Sequence, residues 1–280
     1  MEVFESIPSW VQLPNYLLLF FFGASLASFY ITLGDRILLY FYGSKRKLSS
    51  GFERWKIVLS KPSECESCGT RINKWNLLPV FGYFLSRKKC NACGVTLPIL
   101  FPLSEIFLGL LAVILFFITE NLLGSISFLF LVGHLLISMK TDSEKMILDY
   151  ENLPFILGFG ILTNYLLFGE LPGMEELYVY LGFLSFYGLI YLSFRGGTGL
   201  ADVFFSPAFA FLVGHPYWMV YINSSYVLAL LVTFLSKKPG ESLRGKKIPM
   251  GLYFSLGLIL SLLYKIILTN FSFGNSGIHD

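Results

Sequence analysis

Charge is what this sequence has least of. Asp, Glu, Lys and Arg make up 14% of its 280 residues, where a soluble domain carries about 25%. That scarcity excludes an ordinary soluble domain and makes lipid the main solvent. The imbalance of charge is also small, +3 with His neutral, too little to suggest a nucleic-acid partner. Cysteine is limited to four residues, and they are not scattered. No internal repeat or low-complexity segment stands out. No cleavable signal peptide is expected, because the first apolar run follows an acidic start (Glu2, Glu5) and has the length of a retained anchor. What the sequence has in quantity is apolar surface, 55% of residues, with an aromatic share of 18% that suits a membrane protein with interfacial Tyr and Trp.

Apolar runs occur at about 16–42, 98–118, 122–139, 153–168, 176–194, 202–214, 217–236 and 249–269. A straight helix needs about 20 residues to cross a bilayer, so these runs predict about eight transmembrane helices in an all-α polytopic bundle. The run at 202–214 is short and rich in Phe, Ala and Gly, which suits burial in protein as well as in lipid. Orientation follows from the basic residues. The stretch 43–97 holds eleven Lys and Arg, and 237–248 holds five: Lys237, Lys238, Arg244, Lys246 and Lys247. Lys140, Lys145 and Arg195 fall in the remaining loops of that side, whereas the alternate loops carry Glu120, Glu170, Glu175 and Glu176. The positive-inside rule then predicts an outside N-terminus and cytoplasmic basic loops. Three segments result: an N-terminal transmembrane helix (1–42), a cytoplasmic loop domain (43–97) and a membrane-embedded domain (98–280).

The four cysteines form two CxxC pairs, Cys65-Glu-Ser-Cys68 and Cys90-Asn-Ala-Cys93. Two such knuckles supply the four thiolates of a tetrahedral structural zinc site. Gly69 and Gly94 follow the knuckles, where the turn calls for positive φ. A reducing cytoplasmic setting argues against disulfides. Free thiols or a redox pair are the alternative. A closed four-thiolate site folds a loop and leaves no coordination position for catalysis.

Ionisable residues at the ends of spans are costly and therefore point to function. Asp142 ends the third run in Met-Lys-Thr-Asp142, and Asp202 opens the sixth in Gly197-Thr-Gly199-Leu-Ala-Asp202. The predicted topology puts both at the cytoplasmic boundary. Two carboxylates brought together share a proton, one acting as base and the other as acid, which can activate water and protonate a leaving amine. The bland alternatives are a helix-end charge for Asp142 and a helix-start cap for Asp202. Asp149 lies in the same loop as Asp142, and Asp35 with Arg36 in the first run can neutralise each other or snorkel.

Together these stretches resemble the bacterial type IV prepilin peptidases, integral-membrane aspartic proteases. The ordered anchors are Gly23-Ala-Ser-Leu-Ala-Ser28-Phe29, then Ser63-Glu-Cys65-Glu-Ser-Cys68, Asn76-Leu-Leu-Pro79, Arg87-Lys-Lys-Cys90-Asn-Ala-Cys93 and Phe101-Pro102-Leu-Ser-Glu105. Asp142, Gly197-Thr-Gly199-Leu-Ala-Asp202 and Ile248-Pro249-Met-Gly251 with Gly257 follow. The resemblance covers about residues 15–260. It implies Asp142 and Asp202 as catalytic residues. It also implies a precursor substrate, a type IV prepilin or pseudopilin with a short basic leader, a Gly at the cut and a hydrophobic helix beyond. Through the resemblance alone, S-adenosylmethionine enters as a candidate cofactor for N-methylating the new N-terminus; no glycine-rich loop marks its site. Departures from the family pattern are Ala201 for Gly, Phe204 for Lys, Ile147-Leu148-Asp149 for Ile-Pro-Asp and one residue closer to Asp142, and Leu100 for Arg. They bear on substrate preference and rate.

The expectation is a prepilin peptidase of the inner membrane, its zinc loop and aspartates cytoplasmic, working on a precursor protein in contact with membrane lipid. A peptidase without methyltransferase activity and an inactive scaffold of the same family remain as alternatives. A transporter coupling ions through Asp142 or Asp202 would show repeat symmetry, which the sequence lacks.

Overall fold

A computed structural model of the chain describes residues 9–48, 50–65, 67–194, 198–237 and 247–274. Glu2, Glu5, Glu66, Arg195, Gly197, Lys238, Arg244 and Lys246 lie outside the described residues. Each of the eight apolar runs is a helix. In chain order with two shorter helices of the loop region, these are α1 (Ser9–Tyr40), α2 (Gly51–Ser60), α3 (Phe81–Leu85), α4 (Leu100–Thr119) and α5 (Leu122–Lys145). Then come α6 (Leu153–Phe168), α7 (Met174–Ser193), α8 (Leu200–Val213), α9 (Trp218–Leu235) and α10 (Met250–Gly274). Among the described residues the only β-structure is two isolated bridges. Among the described residues six helices, α1, α4, α5, α7, α9 and α10, are long and apolar enough to cross a membrane. Helices α6 and α8, with 16 and 14 residues, fall short of the length a straight span needs.

Local chemistry sets the helix ends. Asn121 caps α5 by accepting the Gly124 N–H at 2.9 Å, one of the N–H groups that a helix start leaves without a partner. Helix α6 stops at Gly169, whose φ of +70° suits a residue with no Cβ. Helix α7 starts where the Glu176 carboxylate accepts the Gly173 N–H at 2.7 Å.

The chain forms two compact units, Met1–Glu120 and Asn121–Asp280. In the first, α1 packs along α4 through small residues. Ala24, Ala27 and Ala112 are buried, and a Cβ on Gly23 would lie 2.5 Å from the Leu108 carbonyl oxygen. With no difference in polarity between helix and lipid to drive association, such close backbone approach carries membrane helix packing. Arg36 Nη1 donates to the Val58 carbonyl at 2.7 Å near the end of α2.

In the second unit α10 is central, packing on α5, α8 and α9, while α6 packs on α5 and α7 on α8. Phe128, Leu129, Leu135, Phe205, Phe209, Tyr221 and Phe254 fill the core. The short α8 buries Val203, Phe205 to Ala210, Leu212 and Val213, so protein rather than lipid surrounds most of it. Helix α7 instead turns Phe186, Leu189 and Leu192 outward, as a lipid-facing helix does. Gly257 of α10 lets α9 approach: an added Cβ would lie 2.0 Å from Ser225 Oγ and 2.8 Å from the Tyr221 carbonyl oxygen. Gly257→Val is therefore expected to cost about 1–3 kcal/mol. Gly158→Ala, whose added Cβ meets nothing within 4 Å, is expected to cost nothing. Thermal melts in detergent check both, and equal melting temperatures would remove the packing role of Gly257.

Candidate functional site

Asp142 sits in the last turn of α5 and is buried. Its Oδ2 accepts the Leu252 N–H at 3.0 Å. Leu252 lies in the first turn of α10, where backbone N–H groups have no intrahelical partner and the helix dipole favours negative charge. Gly251 makes the contact fit, since a Cβ there would lie 2.9 Å from Asp142 Oδ2 and 2.5 Å from Leu148 Cδ2. Asp202 occupies the first turn of α8, is half-buried, and accepts the Gly199 N–H on Oδ2 at 3.0 Å. It is thus a local helix-start cap, as its position suggests. It is also close enough to Asp142 to feel that charge. The ends of α5, α8 and α10 therefore place two carboxylates within electrostatic range of each other.

Of two nearby residues, Asp149 stood out in the sequence only as a loop neighbour of Asp142, and Tyr150 carried no sequence signal. Tyr150 packs its ring edge-on to Phe204 and Phe205, with centroids 6.3 and 5.8 Å apart. Burial, and next the charge on Asp202, push its hydroxyl above the ordinary phenol range, so it stays a neutral donor. Asp149 is buried, not a loose loop charge, and its Oδ1 accepts the Glu151 N–H at 3.1 Å.

In the first unit Cys65, Cys68, Cys90 and Cys93 converge, all four Sγ atoms within 4.8 Å of one another. Cys65 lies 3.8 Å from Cys93, and Cys68 lies 3.9 Å from Cys90. Sulfurs at about 2.3 Å from one tetrahedral ion stand about 3.8 Å apart, whereas a disulfide needs about 2.05 Å. The cluster therefore fits a metal ion and not two disulfides. The knuckles repeat one construction. Gly69 and Gly94, at φ of +71° and +72°, donate N–H to the carbonyls of Cys65 and Cys90 at 2.8 and 2.9 Å. Bridges Glu64–Arg71 and Lys89–Thr96 close the two turns. Thr70 pulls the Cys68 thiol down to about 6. Although the Val95 backbone pulls Cys93 down, loss of water and the neighbouring thiols push it up to about 11. Four sulfurs this close cannot all be thiolates without a cation among them.

The same unit contains a strained turn. Val80 has φ +65° and ψ −55°, the rare positive-φ γ-turn, with the Phe81 N–H on the Pro79 carbonyl at 2.7 Å. Buried Glu105 of α4 takes the Val80 N–H at 2.6 Å. This one carboxylate joins two of the sequence anchors, its own and the turn that follows Pro79.

Residues 21–119 match the Bacterial Peptidase A24 N-terminal domain, and residues 129–234 match the Type IV leader peptidase family. The chain belongs to the type IV leader peptidase family. Its relatives include the prepilin leader peptidase/N-methyltransferase of Bacillus subtilis (strain 168), 26% identical over 88% of this chain and 93% of that protein. The protein of the same name in Pseudomonas putida is 27% identical over 76% of this chain and 75% of its own length. That of Stutzerimonas stutzeri is 28% identical over 72% and 71%. No solved structure matches the chain. Within this leader peptidase, Phe204 is exposed on α8 beside Tyr150, so an aromatic pair stands two residues beyond Asp202 where the family pattern has a lysine. Ala201 is half-buried.

Proposed function

We propose that this leader peptidase removes the leader from type IV prepilin-like or pseudopilin precursors, with Asp142 and Asp202 as its proton-sharing pair. The observation that supports the assignment is two carboxylates from different helices, close enough to interact, one held by a helix N-terminus and one half-exposed. In the reaction one carboxylate takes a proton from water, whose oxygen adds to the scissile carbonyl carbon. The partner carboxylic acid gives its proton to the leaving nitrogen, and the C–N bond breaks to a leader carboxylate and a new N-terminal amine. The two groups titrate as a unit. Purified protein in detergent, given a pilin-like precursor, is expected to shorten it by the leader; an intact precursor overturns the proposal. The relatives' printed name extends it to methylation of the new amine by S-adenosylmethionine. Added mass of one methyl group on the cleaved product separates that bifunctional enzyme from a peptidase alone.

The metal assigned to the four cysteines is zinc, which suits an all-thiolate tetrahedral site. With every position taken by protein, it would organise the loop around Val80 and supply no chemistry to the cut. The protein is placed in the inner membrane with the cysteine loop and the aspartates cytoplasmic, on the side where basic residues cluster. That is the side on which a basic leader is retained. Single-cysteine labelling on a background without the native cysteines is expected to find residues 43–97, 140–151 and 237–248 accessible only from the cytoplasm. Periplasmic labelling near residue 70 would reverse the topology and remove the reducing compartment that favours zinc.

A further inference from the structure

Lys265 is a buried lysine in the second half of a membrane helix, a costly placement, and the chemistry of two carboxylates leaves it unused. It is 7% exposed. Its ammonium sits 2.7 Å from Glu170 Oε2 and 3.3 Å from Asn164 Oδ1, over the ring of Phe168 at 4.3 Å and near that of Tyr217 at 5.6 Å. The amide of Asn164 is buried too. Its Nδ2 donates to the Leu212 carbonyl at 2.8 Å and to the Gly160 carbonyl at 3.0 Å.

Leu212 explains the arrangement. It is the penultimate residue of α8, and the residue four positions on is Pro216, which has no N–H to close a helical bond. Because α8 is too short to reach water across a bilayer, this carbonyl would be an unpaired acceptor in an apolar interior. Asn164 satisfies it, Lys265 fixes the amide, and Glu170 balances the lysine. The ammonium also stands near the negative end of the α8 dipole. At the other end of the same helix is Asp202, ten residues and about 15 Å away along the axis. Lys265 belongs to α10, whose first turn holds Asp142 through Leu252. Helix α10 thus references both carboxylates, one by direct contact and the other through the far end of its helix.

We infer that Lys265 and Asn164 are positioning residues for catalysis, setting the axial place of α8 and so of Asp202 against Asp142. This rests on Asp202 being one of the catalytic pair. Helix α8 is also held through Ser206, one turn from Asp202, which takes the Tyr221 hydroxyl at 3.1 Å.

The test uses full-length protein in detergent with a purified pilin-like precursor. Lys265→Met and Asn164→Leu are expected to lower kcat about tenfold, a loss confined to transition-state stabilisation, with KM changed by no more than about twofold. They should also move the acid limb of the kcat–pH profile, because the spacing of the two carboxylates sets how they share a proton. The double variant should be no worse than the worse single, since the two act in one chain, and Lys265→Arg should recover most of the rate. Gly160→Val perturbs the same end of α8 with the polar chain intact, because a Cβ there would lie 2.5 Å from Leu212 Cδ1. It should reproduce the kcat loss and the pH shift even if the polar variants fail to fold. Unchanged kcat and acid limb per folded molecule in these variants, beside an inactive Asp202→Asn, would overturn the inference and leave the catalytic pair standing. Full cleavage by Asp202→Asn would instead overturn the pair itself.

Discussion

Asp142→Asn and Asp202→Asn should each abolish leader cleavage, a loss on the order of 10³-fold or more. The expectation comes from the division of labour. A pair that shares one proton needs both an anion to take a proton from water and an acid to protonate the leaving nitrogen, and an amide does neither. The fold should survive. An Asn oxygen can still accept the Leu252 N–H now bound by Asp142, and likewise the Gly199 N–H now bound by Asp202. The double variant should be no worse than either single, because members of one catalytic unit are not additive. Asp149→Asn is the control. It removes a buried carboxylate from the same loop yet keeps an oxygen for the Glu151 N–H, and it should retain most activity. Precursor size in a detergent assay, with melting temperature measured beside it, reads all four. Near wild-type cleavage by Asp202→Asn would remove the aspartic mechanism and favour a scaffold that uses both residues as helix-end groups.

Loss of the metal is expected to act on the other unit. Purified protein should carry one zinc per chain, and Cys→Ser at position 65, 68, 90 or 93 should lower that content. The loop then loses its organising centre, because for a site formed only on folding the binding energy is folding energy, about 10–16 kcal/mol in apparent terms for small zinc domains. Chelation should expose the region between Cys65 and Cys93 to proteolysis and release the strained Val80 turn, with cleavage of the precursor impaired less than stability. Metal analysis and limited proteolysis decide it. Metal-free protein with two disulfides would contradict both the zinc assignment and the reducing environment it presumes.

Why some of this was legible in the sequence and some was not follows from the range of the interactions. The CxxC spacing already implied a four-sulfur cluster, because each knuckle is a local turn whose glycine sets its geometry, and Gly69 and Gly94 do take positive φ. The apolar runs already implied the helices, since lipid forces each backbone to satisfy itself within its own segment. Membership of the type IV leader peptidase family was legible in the order of the anchors, and the matches to known proteins agree with it.

Other features depended on residues far apart in the chain. Gly251 could be read as part of an anchor, but its use, clearing space for Asp142 across 109 positions of sequence, appears only when α5 and α10 meet. Glu105 is part of the Phe101–Glu105 anchor, yet its bond to the strained Val80 depends on how α4 passes the loop. Lys265 and Asn164 carry no sequence signal. A single lysine in an apolar run has no pattern, and its meaning comes from Pro216 depriving Leu212 of a partner and from the helix that supplies another. Sequence alone determined what is periodic or local: helices, knuckles, and the two aspartates at the ends of apolar runs. Tertiary structure alone decided which helix ends meet, because that depends on side chains packing across more than a hundred residues, as where Leu252 at the start of α10 meets Asp142.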